Sequence, residues 1–122
     1  MIRHTQIQRS FLQGTLKLYI LSQARREPVY GGALTKSLSR LGYPISPGTL
    51  YPILHSLDRQ GFLRSYSRVA QGRLRKYYAL TEEGAECLDA TRREVSGVAR
   101  ELFGEFEGLE DEPPELTGEN RS

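Results

Sequence analysis

The stretch that decides the fold is S-P-G-T-L-Y-P-I-L-H-S-L, Ser46 to Leu57. Ser46 is a favoured helix N-cap, because its hydroxyl can accept an orphan N–H of the first turn. Pro47 follows at the first helical position, where a missing N–H costs nothing and a fixed φ suits the helix. Ile45 and Leu50 have the spacing of a hydrophobic staple. Leu50, Ile53, Leu54 and Leu57 recur at i, i+3, i+4 and i+7 and give one apolar stripe. At ~100° per residue the opposite side carries Gly48, Thr49, Pro52, His55, Ser56 and Arg59, with Tyr51 at its margin. The stretch is a short helix with a buried stripe and a hydrogen-bonding outer face, ending near Gly61. Pro52 removes one intrahelical bond and presses on the Gly48 carbonyl, which predicts a bend or a loosened first turn but no break.

Upstream, residues 5–23 read as a first helix. Ile7, Phe11, Leu12, Leu16, Tyr19 and Ile20 recur at helical spacing, and Pro28 disfavours helix at the residue before it. A second helix is expected over 32–41, with Leu34, Leu38 and Leu41 as its stripe and Gly42 as its stop. Two short helices joined by Tyr43-Pro44-Ile45 make a helix-turn-helix candidate, although any helical corner has similar spacing.

Downstream the period changes. Residues 62–69 and 74–80 are rich in strand formers and flank Ala70-Gln71-Gly72-Arg73, which predicts a β-hairpin. Its tip gathers Arg68, Arg73, Arg75 and Lys76, more charge than is needed to discourage edge pairing. In the second strand Leu74, Lys76, Tyr78 and Leu80 face one way, and Arg75, Tyr77 and Ala79 the other. Thr81 caps a last helix, with Glu82 and Glu83 at its positive end. Ala85, Leu88, Val95, Val98, Ala99, Leu102, Phe103 and Phe106 form its stripe, with Leu88, Val95 and Leu102 seven apart as in a coiled-coil seam. This helix either packs on its own domain or crosses to a second subunit. The small core favours the second, with Leu88, Val95, Val98, Ala99, Leu102, Phe103 and Phe106 as the dimerisation residues. Residues 108–122 are acidic and turn-rich, with few apolar residues, and a disordered tail is expected there.

The net charge of +2 hides an asymmetry. Thirteen basic residues face only Glu27 and Asp58 through Thr81, a charge of +11; four basic residues face thirteen acids beyond it, a charge of −9. A basic body suggests a polyanionic partner, unless its arginines are simply solvated. No apolar run is long enough for a membrane span, and the N-terminal residues have no signal-peptide core. With one cysteine, Cys87, there is no internal disulfide framework, and a cytoplasmic protein is expected. Two histidines and one cysteine lack metal-ligand spacing, and no phosphate-binding loop, dinucleotide fingerprint or nucleophile elbow is present. Ser46, His55 and Asp58 crowd one short helix and read as surface groups. Neither enzymatic activity nor a cofactor is expected.

Two blocks carry a family resemblance: S-P-G-T-L-Y-P-I-L-H-S-L-D-R-Q-G at Ser46 to Gly61, and G-R-L-R-K-Y-Y-A-L-T-E-E-G at Gly72 to Gly84. In this order and spacing they resemble the signature blocks of PadR-type transcriptional regulators; Tyr30-Gly31 and the second-helix leucines match less specifically. The resemblance covers residues 11–88 and departs at Leu74, where the family often has proline. It implies a mainly α (α+β) fold, a winged helix-turn-helix with a two-stranded wing over 1–81 and a C-terminal dimerisation helix over 82–107. It also implies a homodimeric repressor reading double-stranded DNA at an inverted repeat. Carried over by position, the DNA-contacting residues are Gly48, Thr49, Tyr51, Pro52, His55 and Arg59 in the groove and Arg73, Arg75, Lys76 and Tyr77 on the wing; Ser46 offers backbone N–H groups to a phosphate. Members of such families respond to small aromatic or cationic effectors near the dimer interface, which would place Phe11, Tyr19, Phe103 and Phe106 around a ligand pocket. The alternative is a winged helix that binds a protein partner and no DNA.

Overall fold

The computed structural model describes residues 5–111, with side chains described through residue 104. The element order is α1 (Gln6–Arg26), α2 (Gly31–Arg40), α3 (Pro47–Arg59), β1 (Leu63–Ala70), β2 (Arg73–Leu80) and α4 (Glu82–Asp111). This is the mainly α winged helix-turn-helix expected from the sequence. Contacts divide the chain into two units that meet after Leu88, so the body takes in the first turns of α4.

Each element starts where local chemistry allows. Thr5 and Gln8 form a reciprocal capping box: the Gln8 N–H donates to the Thr5 hydroxyl at 3.1 Å, and the Thr5 N–H donates to Gln8 Oε1 at 2.8 Å. At α3 the Thr49 N–H donates to the Ser46 hydroxyl at 3.3 Å. The helix runs unbroken through Pro52. Its first turn is held rather than loosened, because the Ser46 carbonyl accepts the N–H groups of both Thr49 and Leu50 at 3.0 Å. Gly42 and Gly61 leave α2 and α3 through positive φ, +86° and +84°. The hairpin turn is two residues long, and Gln71 and Gly72 both have positive φ, as a type I′ turn requires. Thr81 caps α4 by accepting the Gly84 N–H at 3.0 Å, and its own hydroxyl donates to the Gly61 carbonyl at 2.6 Å.

The body's core is built from Leu16, Ile20, Leu21 and Ala24 of α1, Leu34 and Leu38 of α2, and Leu50, Ile53, Leu54 and Leu57 of α3. Val29, Leu63, Tyr78 and Leu88 complete it. Three readings of the stripes are corrected here. Ile7 and Phe11 of α1 are exposed, because the body packs only the C-terminal half of that helix. Leu41 is also exposed, because α2 ends at Arg40 and the chain turns away. Leu88 is 1% exposed in its own unit's core, so it has no surface to offer a second subunit. The helical assignment of α4 continues through Asp111, past the position 108 at which a tail was expected; residues 112–122 lie outside the described part.

Tyr78 ends in the core with a hydroxyl that has no hydrogen-bond partner. Burial raises its pKa above the ordinary value of 10.0, and Asp58 and then Tyr51 add to the shift. Because the folded-state value lies above the unfolded one, this residue's contribution is complete below pH ~10 and is lost as pH rises through the folded value, by at most about 1.4 kcal/mol per pH unit. Tyr78→Phe is therefore expected to raise stability by about 1 kcal/mol at neutral pH, since it deletes an unsatisfied buried polar atom. It should also flatten the alkaline limb of a urea-stability profile measured from pH 8 to 11.

Candidate nucleic-acid interface

The outer face of α3 is separated cleanly from the stripe. Ser46, Gly48, Thr49, Tyr51, Pro52, His55 and Arg59 are all exposed, whereas Leu50, Ile53, Leu54 and Leu57 are buried. The Ser46 and Thr49 hydroxyls bond each other at 3.3 Å across the first turn. The Tyr51 and His55 rings lie one turn apart with centroids at 6.4 Å, tilted by 41°. A Cβ added at Gly48 meets only the Ser46 hydroxyl oxygen, at 3.8 Å, so the backbone there is open to close approach.

Two contacts that sequence reasoning did not find aim this helix. Gly31, buried at the start of α2, lies directly under the Tyr51 ring; any side chain there would collide with the phenol. The glycine thus lets α2 and α3 approach closely, and it holds Tyr51 at the edge of the exposed face. Asp58 is not part of a triad: its Oδ2 accepts the Ser65 hydroxyl at 2.8 Å and ties the end of α3 to β1. The signal for Gly31 was present in the Tyr30-Gly31 pair, but a glycine before a helix reads equally well as a turn.

The wing strands pair in continuous register from Leu63↔Leu80 to Ala70↔Arg73. Arg73, Arg75 and Tyr77 alternate onto one face of β2 and Lys76 onto the other; Arg73 and Lys76 are exposed, while Arg75 and Tyr77 are half-buried. Leu74, at the position where the family often has proline, sits inside β2 opposite Val69 and is exposed near the tip. The structure therefore presents the outer face of α3 and, on the wing, the exposed cations Arg64, Arg68, Arg73 and Lys76 as polar surface of one body.

Of the residues suggested for an aromatic pocket, the body holds Phe11 and Tyr19. The Tyr19 hydroxyl donates to Ser37 Oγ at 2.8 Å, Phe11 is exposed about four turns of helix before the Arg26 end of α1, and Phe103 belongs to the other unit. The side chain of Phe106 lies outside the described residues. A concavity of about 520 Å³ lies elsewhere, bordered by α1, α2 and the Glu27–Tyr30 link, and contains none of the four. Among the described residues no group of His, Cys, Asp or Glu could hold a metal ion. None of their helices is long and apolar enough to cross a membrane.

Residues 20–90, spanning the helix-turn-helix and the wing, match the Transcriptional regulator PadR-like family. The chain belongs to that family. It is 45% identical to the transcriptional regulator Rv3488 of Mycobacterium tuberculosis over 79% of its own length and 90% of the relative's. It is 35% identical to the Escherichia coli transcriptional regulator YqjI over 78% of its own length but only 46% of that longer protein. Among solved structures, a PadR family transcriptional regulator from Eggerthella lenta is 41% identical with a TM-score of 0.61, covering 83% of this chain and 87% of that one. A PadR-like transcriptional regulator from Bacillus cereus is 28% identical with a TM-score of 0.70, over 78% and 94% of the two chains. As a PadR-like protein the chain is a transcriptional regulator, and the exposed face of α3 with its neighbouring wing is the surface to test for DNA contact.

Proposed function

We propose that this PadR-like regulator is a homodimeric repressor in which α3 enters the major groove and the wing follows the flanking backbone. The observation that carries the reading is the exposed face of α3: hydrogen-bonding groups cover it, Arg59 is its one fixed cation, and the other candidate cations lie on the wing. Thr49, His55 and Arg59 suit base edges, whereas Arg73, Arg75 and Lys76 suit phosphates. Affinity then comes mainly from the wing, and selectivity from α3. Two subunits related by a two-fold axis would set the helices about one DNA turn apart, ~34 Å, on an inverted repeat. Occupying such a site blocks a promoter without any further activity. Selection of bound duplexes from a random pool tests the reading: enrichment of an inverted repeat with that spacing supports it, and no enriched duplex overturns it.

Dimerisation is supported by the second unit, where Val95, Val98, Leu102 and Phe103 leave large apolar area exposed on one helix. Val98→Asp with Leu102→Asp is expected to give monomers in light scattering at micromolar concentration while the body still melts cooperatively. Operator affinity should fall at least 100-fold, because two half-sites are no longer linked. Gly48→Ala separates fold from contact in the same assay. It should leave the melting temperature equal or slightly higher, since the added methyl has room and helix propensity improves by up to ~1 kcal/mol. Binding should weaken about tenfold where the backbone meets DNA, a change of ~1.4 kcal/mol.

A further inference from the structure

We propose that Tyr30 is a positioning residue for the wing, holding the guanidinium of Arg75 so that its N–H edge faces the DNA backbone; this rests on the DNA-binding reading above. Tyr30 occupies the N-cap position of α2, yet its side chain makes no capping bond there. Caps favour Ser, Thr, Asp or Asn, so capping does not account for a tyrosine. Its neighbour does. Val29 and Tyr78 exchange two backbone hydrogen bonds, at 3.0 and 2.8 Å, in an isolated antiparallel bridge. That bridge lays residue 30 alongside β2 as a fragment of a third strand.

The rings then form a continuous series. Tyr30 meets Tyr77 edge-on at 5.5 Å, and Tyr77 stacks on Tyr66 at 5.6 Å with 20° between the planes. A cation closes each end: Arg75 lies 4.0 Å above the Tyr30 ring, and Arg68 lies 5.5 Å from the Tyr66 centroid. Arg68 and Arg75 are directly opposite in the strand register, an arrangement in which like charges repel. Drawing each onto a different ring separates them while keeping both on the same face. A guanidinium held over a ring face by its central carbon keeps N–H groups that can meet a phosphate. Arg75 is half-buried whereas Arg73 and Lys76 are exposed, so Arg75 has less side-chain freedom to lose on contact.

The test is a double-mutant cycle on operator binding, read by fluorescence anisotropy at several salt concentrations. Tyr30→Phe, which keeps the ring, should bind within twofold of wild type. Tyr30→Leu should lose roughly five- to tenfold, with the slope of log K against log salt falling by about one, the loss of one phosphate contact. Combined with Arg75→Gln, Tyr30→Leu should add less than twofold; combined with Arg73→Gln, it should keep its full effect. Equal losses in all backgrounds, an unchanged salt slope, or Tyr30→Phe behaving like Tyr30→Leu would each overturn the positioning role. If Tyr30→Leu melts more than 10 °C early, Arg75→Lys carries the test instead. It keeps the charge but not the planar guanidinium that sits over the ring, and should weaken binding without changing the slope; full wild-type affinity would overturn the role. A wild-type protein that binds no duplex defeats the DNA reading itself, before any variant is compared.

Discussion

Gly84→Ala is expected to lower the melting temperature by roughly 10 °C, the largest stability change among the single substitutions considered. Gly84 is buried in the first turn of α4. A Cβ there would run into the backbone carbonyl oxygen of Phe62 and come within 2.7 Å of Leu80 Cδ1. A leucine methyl can rotate away, but a carbonyl cannot. That carbonyl also accepts the Thr81 N–H at 3.2 Å, so relief requires pulling the start of α4 off the link between α3 and β1. Overpacking against fixed backbone costs about 3 kcal/mol. The gain in helix propensity offsets about 1 kcal/mol of it. Gly14→Ala is the control, because nothing lies within 4 Å of a Cβ at Gly14 in α1. That substitution should stabilise by about 0.5–1 kcal/mol. If both variants melt at or above the wild-type temperature, the Phe62 contact does not fix the root of α4.

Replacing Arg73, Arg75 and Lys76 together by glutamine should reduce operator affinity by roughly 100-fold near physiological salt and flatten the salt dependence by up to three units of slope. The effect should be nearly uniform across duplex sequences, because phosphate contacts position a protein without reading bases. The fold should survive: Arg73 and Lys76 are exposed, and the backbone register of the hairpin does not depend on them. His55→Ala and Arg59→Ala, by contrast, should change which duplexes are preferred while leaving the slope closer to wild type. A triple variant that binds as tightly as the parent would remove the wing from the interface and leave α3 to act with some other flank.

What the sequence revealed divides along physical lines. Features written in consecutive residues were legible: the Ser46-Pro47 start, the α3 stripe, the Thr81 cap and the glycine-bearing turn of the wing. Features requiring two distant segments to meet were not. Nothing in the spacing of Val29 and Tyr78 announces that they pair, and the use of Tyr30 follows only from that pairing. Gly31 beneath Tyr51 and Gly84 beside Phe62 were equally hidden, because a glycine does not say which neighbour needs the room. Leu88 went to the wrong partner for a related reason. A seven-residue spacing says that Leu88, Val95 and Leu102 share a face, but not that the first is covered by its own body while Leu102 remains 60% exposed.

The ring series on the wing has a practical optical consequence. The chain has seven tyrosines and no tryptophan, so its near-ultraviolet absorption and emission come mainly from phenols. Tyr30, Tyr66 and Tyr77 are three of the seven, and they stand in a series centred on Tyr77 with charged groups at both ends. Dichroism in the tyrosine band should therefore be weighted towards the wing, where coupled rings sit in a fixed asymmetric arrangement. An unlabelled sample thus carries its own reporter: the bases of a duplex overlap the tyrosine dichroism but scarcely fluoresce, so docking of the hairpin can be followed in tyrosine emission without attaching a dye to the surface under study.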